Sequence, residues 1–322
     1  MESTFSLELF LCPAGEEEVR RVLAQSRLVW GVGVSFEDYF KYHSLIRNHS
    51  WAERSFQHLV LVSETGQVLS SCKTYFYQVK LKNRVLRLCG IGAVFTPPEQ
   101  RRKGYATQML SALLEELRGE GFDLVLLFSD IGTEFYARLG FQLIPKQDPI
   151  YLFLEDKLTP LEIKIYQHLP EELWEWQRSY GNRQVFSLVR SNDYFQLLSE
   201  RISWQRKYLG FSEQRILVSA QERSYLWVDL GRRRLVIRDF ACGGNDTEGA
   251  LRRLLAKARK EFRFKEIYGW LPEEFSRYPF LKLKERRERS RTLMMFSALT
   301  PAGKEIFSLS PEQIQYWLAD YF

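Results

Sequence analysis

The sequence predicts an α/β protein with mixed α+β sheets, organised as two tandem domains of similar topology. The chain has 322 residues, which is long for one hydrophobic core and comfortable for two. Segments with strand periodicity alternate with segments with helical periodicity. Their order in the first half recurs in the second, after a boundary near residues 156–169. We therefore expect domains at residues 1–158 and 165–322.

Strand signals in the first half are apolar or alternating runs that end at Pro, Gly or polar residues. We expect strands at residues 7–11, 56–63, 68–77, 84–95, 124–128 and 150–154, the last closing the first sheet. Thr65 and Gly66 indicate a hairpin between the second and third of these strands. The run at 124–128 is fully apolar, which is typical of a strand covered on both faces.

Helical spacing predicts the remaining elements. We expect first-half helices at residues 15–28, 36–46 and 107–118, and the last of them places Met109, Leu110, Leu113, Leu114 and Leu117 on one face. In the second half we expect helices at residues 170–180, 193–208 and 247–262, and strands at 215–219, 225–229, 235–240, 266–271 and 292–298. The succession of helices, three strands, a helix and further strands repeats the first half.

A basic, glycine-bearing loop lies between the strand at 84–95 and the helix at 107–118. Its residues, Arg101 to Ala106, read RRKGYA and fit the pattern [QR]-x-x-G-x-[GA]. A helix that starts on such a loop points its free backbone N–H groups and the positive end of its dipole at one spot, which suits a pyrophosphate. Gly104 and Ala106 lack side-chain bulk, so the backbone can approach the phosphates closely.

A second motif follows about one strand later, at Phe135 to Phe141, which reads FYARLGF. Together, VFTPPEQRRKGYA and FSDIGTEFYARLGF resemble the GNAT acyl-CoA N-acyltransferases over roughly residues 5–155. The wording is most similar to the fungal lysine N6-acetyltransferase branch. The tandem arrangement also resembles the enhanced-intracellular-survival acetyltransferases.

The resemblance implies an acetyl-CoA site in the first half. The residues that it assigns to the cofactor are Val94, Phe95, Thr96, Arg101, Arg102, Lys103, Gly104, Tyr105, Ala106, Thr107, Ser129 and Tyr136. In the family, the strand before the loop pairs with the pantetheine arm, and the backbone N–H near Val94 would polarise the thioester carbonyl. The family usually has a small residue, often Gly, where Arg102 stands here.

The same resemblance makes Tyr136 the general acid for the leaving thiolate, while the alternative is that Tyr136 only packs between Phe135 and Phe141. Asp130 is expected to cap a helix that starts at Ile131, or else to receive the amine proton. The general base stays open, because the strand LRLCGIGAVFT has no carboxylate. The candidates are water, Glu37, Asp38, Glu134 and the terminal carboxylate of Phe322.

The second half lacks this chemistry. Its counterpart of the loop, ACGGNDTE at residues 241–248, is acidic and would repel phosphate, and Asp246 or Thr247 is a plausible helix N-cap. We therefore expect a degenerate second domain with a C-terminal helical tail, and one CoA site per chain.

Composition indicates which partners to expect. The net charge is +6, and the most basic stretch, Lys282 to Arg291, is interleaved with Glu285 and Glu288, which favours a solvated face or loop over nucleic-acid binding. No apolar run approaches the ~20 residues that span a membrane. The N-terminus lacks the features of a secretion signal, so we expect a cytoplasmic protein.

The four cysteines are scattered without metal-ligand spacing and indicate reduced structural thiols, and we expect no metal. We therefore predict an N-acetyltransferase that transfers an acetyl group from acetyl-CoA to a primary amine, either a small molecule such as lysine or a lysine side chain. The alternative is a non-catalytic CoA-binding sensor or scaffold.

Overall fold

The structure is a computed structural model that describes residues 8–154, 161–211, 213–231 and 233–322. Leu7, the predicted start of the first strand, and residues 156–160 of the predicted boundary lie outside the described residues. The domain extents 1–158 and 165–322 stay a prediction.

Contacts among the described residues divide the chain into two compact units. Unit 1 comprises Met1–Tyr77, Arg87–Leu143 and Met294–Lys304, and unit 2 comprises Gln78–Leu86, Ile144–Leu293 and Glu305–Phe322.

The predicted helices and strands of the first half are found in order with small shifts in their bounds, and two short elements at residues 52–55 and 142–143 were not predicted. The elements of the first half are β1 (Leu9–Pro13), α1 (Glu16–Trp30), α2 (Phe36–Arg47), α3 (Ala52–Ser55), β2 (Phe56–Ser63), β3 (Val68–Leu81), β4 (Arg84–Phe95), α4 (Tyr105–Gly119), β5 (Leu124–Ser129), α5 (Glu134–Ala137) and β6 (Gln142–Leu143).

The second half adds three strands that the sequence did not indicate, at its start, in its middle and in the basic stretch. Its elements are β7 (Gln147–Phe153), β8 (Lys164–Tyr166), α6 (Leu173–Gly181), β9 (Phe186–Val189), α7 (Asn192–Leu209), β10 (Gln214–Ser219), β11 (Ser224–Leu230), β12 (Arg234–Cys242), α8 (Thr247–Glu261), β13 (Glu266–Gly269), β14 (Leu281–Glu288), β15 (Leu293–Ala298) and α9 (Pro301–Lys304).

The first sheet has the strand order β1-β2-β3-β4-β5-β15-β6, and the end of β3 also pairs with β9. The strands β1 to β3 are antiparallel neighbours, whereas β4 and β5 are parallel and are joined by α4. All five predicted apolar positions of α4 are buried, in the core cluster that also holds Cys72, Cys89 and Tyr136. The predicted inward face of this helix is therefore confirmed.

The second sheet has the order β14-β7-β13-β12-β11-β10-β8. Its parallel pair, β12 and β13, is joined by α8 just as β4 and β5 are joined by α4. In each pair, four residues of the first strand pair with the parallel partner, and the strand then continues without that partner, to Phe95 in β4 and to Cys242 in β12. The predicted topological repeat is confirmed at this βαβ unit.

Two strand assignments were wrong. Residues 150–154 were expected to close the first sheet, but β7 pairs with β13 and β14 in the second sheet. Residues 292–298 were expected in the second sheet, but β15 lies between β5 and β6 in the first. The physical reason is that an apolar run specifies a buried strand without specifying its partner, since pairing is decided by tertiary packing.

Candidate active site

The loop before α4 presents a helix N-terminus that no side chain occupies. Arg101 to Gly104 are exposed, and Gly104 is the N-cap residue with a φ of +83°. Gly104 has no side chain that could cap the helix, and the first turn of α4 carries no acidic residue. Because the first N–H groups of a helix lack intrahelical partners, this end of α4 offers donors and a positive partial charge to an anion.

Arg102 shares the left-handed conformation of Gly104, with a φ of +63°. This conformation is disfavoured for residues that carry a Cβ and is adopted freely by glycine. The glycine that the family often has here is thus explained by the backbone.

The other two basic side chains of the loop are held by the loop itself. Arg101 Nε donates a hydrogen bond to Thr96 O (3.1 Å), and Lys103 Nζ donates to Gln100 Oε1 (3.1 Å). These bonds keep both cations beside the start of α4.

The strand β4 separates from β5 before it reaches the loop. Parallel pairing runs from Leu88 to Ile91, opposite Leu124 to Leu127, and β4 continues without this partner to Phe95. Ala93 has a φ of +48°, which marks an irregularity in the strand immediately before Val94. The open end of β4 therefore lies beside the loop that begins at Thr96.

Ser70 fixes this open end, and nothing in the sequence pointed to it. Its hydroxyl donates to Phe95 O (3.1 Å) and lies 3.1 Å from Thr96 Oγ1. These contacts of Ser70 could not be predicted, because the register of β3 against β4 cannot be inferred from composition.

Tyr136 is buried, with 7% of its surface exposed, and lies on α5. Its ring packs edge-on against Phe135 (4.9 Å between centroids) and Phe141 (6.0 Å). Burial raises the pKa of Tyr136 to about 12, with smaller contributions from Cys72 and Asp130. Tyr136 thus packs between Phe135 and Phe141, as the alternative interpretation expected. Its raised pKa keeps the phenol protonated at neutral pH.

The two buried cysteines of this core are also protonated. Burial raises the pKa of Cys72 to about 12 and raises that of Cys89 well above its ordinary value. Because the thiolate is the nucleophilic form, neither thiol is suited to a covalent step.

The expected cap by Asp130 was wrong. The helix α5 starts at Glu134 rather than at Ile131, and its N-cap residue Thr133 makes no side-chain cap. Ser129 organises the intervening turn instead, since its hydroxyl donates to Gly132 O and accepts from Ile131 N (3.3 Å). The Ser129 hydroxyl, a predicted CoA contact, is thus engaged inside its own turn.

The carboxylate candidates for the general base lie on different elements. Glu37 and Asp38 are exposed in the first turn of α2, where Asp38 accepts a hydrogen bond from Ser35 Oγ (2.8 Å). Glu134 is exposed in the first turn of α5. The C-terminal residues before Phe322 pack on elements of unit 2.

A buried basic group lies on the face of β3 opposite Cys72, since successive strand residues face opposite sides. Lys73 Nζ is 3.1 Å from His43 Nδ1 on α2, and His58 stands opposite Lys73 in the β2–β3 register. Burial first, and then Lys73 and Arg47, lower the pKa of His58 to about 3. His58 is therefore neutral at physiological pH.

In unit 2, the corresponding helix start is already capped. The side chain of Asp246 accepts a hydrogen bond from Gly249 N (2.8 Å) and from Arg253 Nη2 (2.9 Å). These bonds lower the pKa of Asp246, which keeps its negative charge at the position where an anion would bind.

The C-terminal tail packs against the ends of the parallel strands of unit 2. Buried Arg190 donates two hydrogen bonds to Asp320 (2.9 and 2.7 Å) and also pairs with Asp239 of β12, which accepts from Tyr225 Oη (2.7 Å). Gln315 Nε2 donates to the carbonyl of Trp270, directly after β13 (3.1 Å). The C-terminal tail is therefore anchored to this side of unit 2.

Within the described ranges, no three His, Cys, Asp or Glu residues are grouped so that they could hold a metal ion. Of the helices that the structure describes, none combines the length and apolarity needed to cross a membrane. The basic stretch is the edge strand β14, in which Lys284 pairs with Glu266 and Arg287 with Glu285.

Comparisons with known proteins agree with this geometry. Residues 12–144 match the family model of the acetyltransferase (GNAT) domain. The chain is therefore similar to the GNAT N-acetyltransferases over residues 12–144, about two fifths of its length.

The individual proteins to which the chain is similar share little sequence identity with it. A lysine acetyltransferase of Yarrowia lipolytica is 27% identical, in a match that covers 44% of this chain and only 41% of the relative. In fold, the chain is similar to a GCN5-related N-acetyltransferase from Kribbella flavida (TM-score 0.64, 16% identity, covering 90% of this chain and 71% of that one). It is also similar to Eis1 from Mycobacterium abscessus (TM-score 0.62, 13% identity, 91% and 74%).

Proposed function

We propose that the chain is an acyl-CoA-dependent N-acetyltransferase that moves an acetyl group from acetyl-CoA directly to a primary amine. The observation that carries this proposal is the uncapped start of α4, which follows an exposed basic loop and adjoins the open end of β4. Pyrophosphate would accept hydrogen bonds from the N–H groups of Arg102 to Ala106, with Arg101, Arg102, Lys103 and Thr107 at its rim.

The backbone of Val94, Phe95 and Thr96 is our candidate for holding the thioester arm. The Val94 N–H would donate to the carbonyl oxygen as negative charge develops on it. One such donor is typically worth ~3 kcal/mol of barrier. The hydrogen bonds from Ser70 keep this backbone in place.

Tyr136 would give its proton to the departing sulfur, since its raised pKa keeps the phenol protonated. The amine nitrogen adds to the thioester carbon, and the tetrahedral intermediate then breaks its C–S bond. The amine proton goes to water or to one of Glu37, Asp38, Glu134 and the Phe322 carboxylate. Ser129 would contribute only through the turn that it organises.

The acceptor class is a primary amine, either lysine-like or a lysine side chain. The Yarrowia lipolytica relative, which is named for lysine acetylation, supports this class. Cytoplasmic localisation and a degenerate second domain that helps to form or cover the acceptor cleft belong to the same proposal.

A thermal-shift titration with acetyl-CoA and dephospho-CoA tests the cofactor site. Ligand at ~100 times its dissociation constant stabilises a protein by ~2.7 kcal/mol. Both ligands should give saturable shifts, since both carry the pyrophosphate. Gly104→Glu should abolish them by placing a side chain and a negative charge at the helix start. Gly119→Glu, at the open far end of α4, is the matched control and should retain them.

No shift at millimolar ligand would contradict the proposal. Saturable binding without acetylation of any amine would instead favour a CoA sensor or scaffold. The observation that favours this second function is that β4 has no carboxylate that could act as the general base.

A further inference from the structure

Four large apolar side chains lie exposed within five residues at the end of α1, namely Leu28, Val29, Trp30 and Val32. Leu28 is 71% exposed and Val32 is 79% exposed. Single exposed apolar residues are common on protein surfaces, whereas a contiguous group marks a binding surface. We call these four residues the apolar run.

The turn that presents the apolar run is held by its own hydrogen bonds. Gly31 N donates to Arg27 O (2.8 Å), Val34 N donates to Gly31 O (3.0 Å), and Arg27 Nη1 donates to Val34 O (2.6 Å). Gly31 packs so closely on Tyr39 that an added Cβ would lie 2.7 Å from the ring. The backbone of the turn is thus fixed, and the side chains of the run are displayed in a set arrangement.

The apolar run adjoins the open end of β4. The rings of Trp30 and Phe95 meet edge-on, with 6.2 Å between their centroids. Phe95 is the last residue of β4 and follows Val94, whose N–H we assign to the carbonyl of the reacting thioester. The apolar run therefore contacts the residue next to the proposed thioester site.

Negative charge follows the run along the chain. The helix α2 begins at Phe36, and its first turn carries the exposed carboxylates of Glu37 and Asp38. Ser35, the N-cap residue, orients Asp38 through a hydrogen bond of 2.8 Å. An apolar body on the run and an ammonium group near these carboxylates would satisfy both parts of the surface.

We propose that the apolar run selects the acceptor, which is a primary amine carried on an apolar alkyl or arylalkyl body rather than on a polar one. This inference rests on the proposed function and narrows its substrate class to amines with an apolar body, at the expense of free lysine. Burial of apolar surface supplies the selectivity, because each methylene removed from water is worth about fourfold in binding (~0.8 kcal/mol).

The test measures kcat/KM for n-alkylamines from ethyl to octyl, with free lysine as the polar comparison, at saturating acetyl-CoA. The wild type should gain about two- to fourfold per methylene up to the length that the run covers. Trp30→Ser and Val32→Ser should flatten this increase to under about twofold per methylene. Val85→Ser, another exposed valine, is the matched control and should keep the wild-type increase.

Val32→Ser carries the test if Trp30→Ser unfolds, since Val32 is almost fully exposed. Turnover that does not depend on chain length, or variants that keep the wild-type increase, would overturn the inference alone. A parallel series with acetyl-, butyryl- and octanoyl-CoA identifies the donor side: if the variants change acyl preference and not amine preference, the inference is also overturned. No turnover with any amine, while CoA still binds, would overturn the proposed function together with this inference.

Discussion

Arg102 stands at a backbone position that favours glycine. Its φ of +63° places the Cβ in a conformation that costs roughly 1–2 kcal/mol for an L-residue. The guanidinium adds a permanent positive charge to the loop that we assign to phosphate. We expect this contribution to phosphate binding to offset the conformational cost.

Arg102→Gly should separate these two effects. We expect the free energy of unfolding to rise by up to about 1 kcal/mol, because the strain is relieved, while CoA affinity falls. The affinity loss should be larger at low ionic strength than at high, since screening weakens the charge contribution. Urea unfolding and CoA titration at two salt concentrations measure both, and unchanged affinity at low salt would remove the phosphate role of Arg102.

Tyr136→Phe tests the general acid. Turnover should fall by roughly 10²- to 10⁴-fold, the usual contribution of a positioned acid, while CoA affinity is kept. An acid must be protonated to act, and the pKa of Tyr136 is about 12. Wild-type turnover should therefore show no alkaline fall from this group below pH 10. Equal rates for the variant and the wild type would leave Tyr136 as a packing residue between Phe135 and Phe141.

His58 should make unit 1 acid-sensitive. Its pKa is about 3 in the folded protein and ~6.5 when unfolded, so the unfolded chain binds more protons as the pH falls between these values. Stability is present above pH ~6.5 and is lost below it, by at most about 1.4 kcal/mol per pH unit. Urea unfolding from pH 7 to pH 4 measures the slope. His58→Gln should flatten it and exposed His168→Gln should not; a slope that His58→Gln leaves unchanged would assign the acid sensitivity to other groups.

At the residue scale, the sequence was most informative where a motif restricts the backbone. The pattern RRKGYA located the helix start. Its glycine, Gly104, is the N-cap residue and has a positive φ, a conformation that glycine adopts freely. It did not indicate Ser70 or the contact of Trp30 with Phe95, since both depend on which strands and helices become neighbours. Asp130 was misjudged because the turn before α5 is longer than the local pattern suggested.

At the scale of elements, α4 and α8 illustrate how similar frames acquire different roles. Each joins a pair of parallel strands. The N-terminus of α4 has no side-chain cap, whereas the N-terminus of α8 is capped by Asp246, which also accepts a hydrogen bond from Arg253. The bounds of both helices were close to prediction because amphipathic spacing over fifteen residues is a strong signal. Short strands such as β8 and β9 were missed because three or four residues carry too little periodicity.

The tail of unit 2 depends on one buried arginine. Removing Arg190 would leave Asp239 and Asp320 buried without their cation. Arg190→Met should therefore destabilise unit 2 by about 3–5 kcal/mol in urea unfolding. Arg21→Met, at an exposed ion pair with Glu17, is the control and should change little. Equal effects of the two variants would contradict the structural role of Arg190.

At the scale of the whole molecule, the order of strands in space differs from their order in the sequence. The first sheet takes β15 from near the C-terminus, and the second sheet takes β7 from the end of the first half. Periodicity predicted both strands and assigned each to the wrong sheet, because two apolar strands of similar length can exchange places without changing the pattern.

A fragment of residues 1–158 tests this exchange. It lacks β15, so β5 would lose one of its two neighbouring strands and β6 its only pairing partner among the described strands. We expect the fragment to aggregate or to unfold without cooperativity, whereas the full chain unfolds cooperatively. Circular dichroism with thermal and urea unfolding measures this, and a soluble fragment that unfolds cooperatively would contradict the requirement for β15.

The exchange of strands also sets when the first sheet can be completed during synthesis. Domains commonly fold from the N-terminus as they leave the ribosome. Here the sheet next to the loop at Arg101 to Gly104 cannot be completed until β15, residues 293–298, has been translated. These residues follow nearly all of the second half. A nascent chain therefore exposes one edge of β5 for most of translation, and a premature stop anywhere before β15 leaves the first sheet without a strand, however much of the RRKGYA motif has been made.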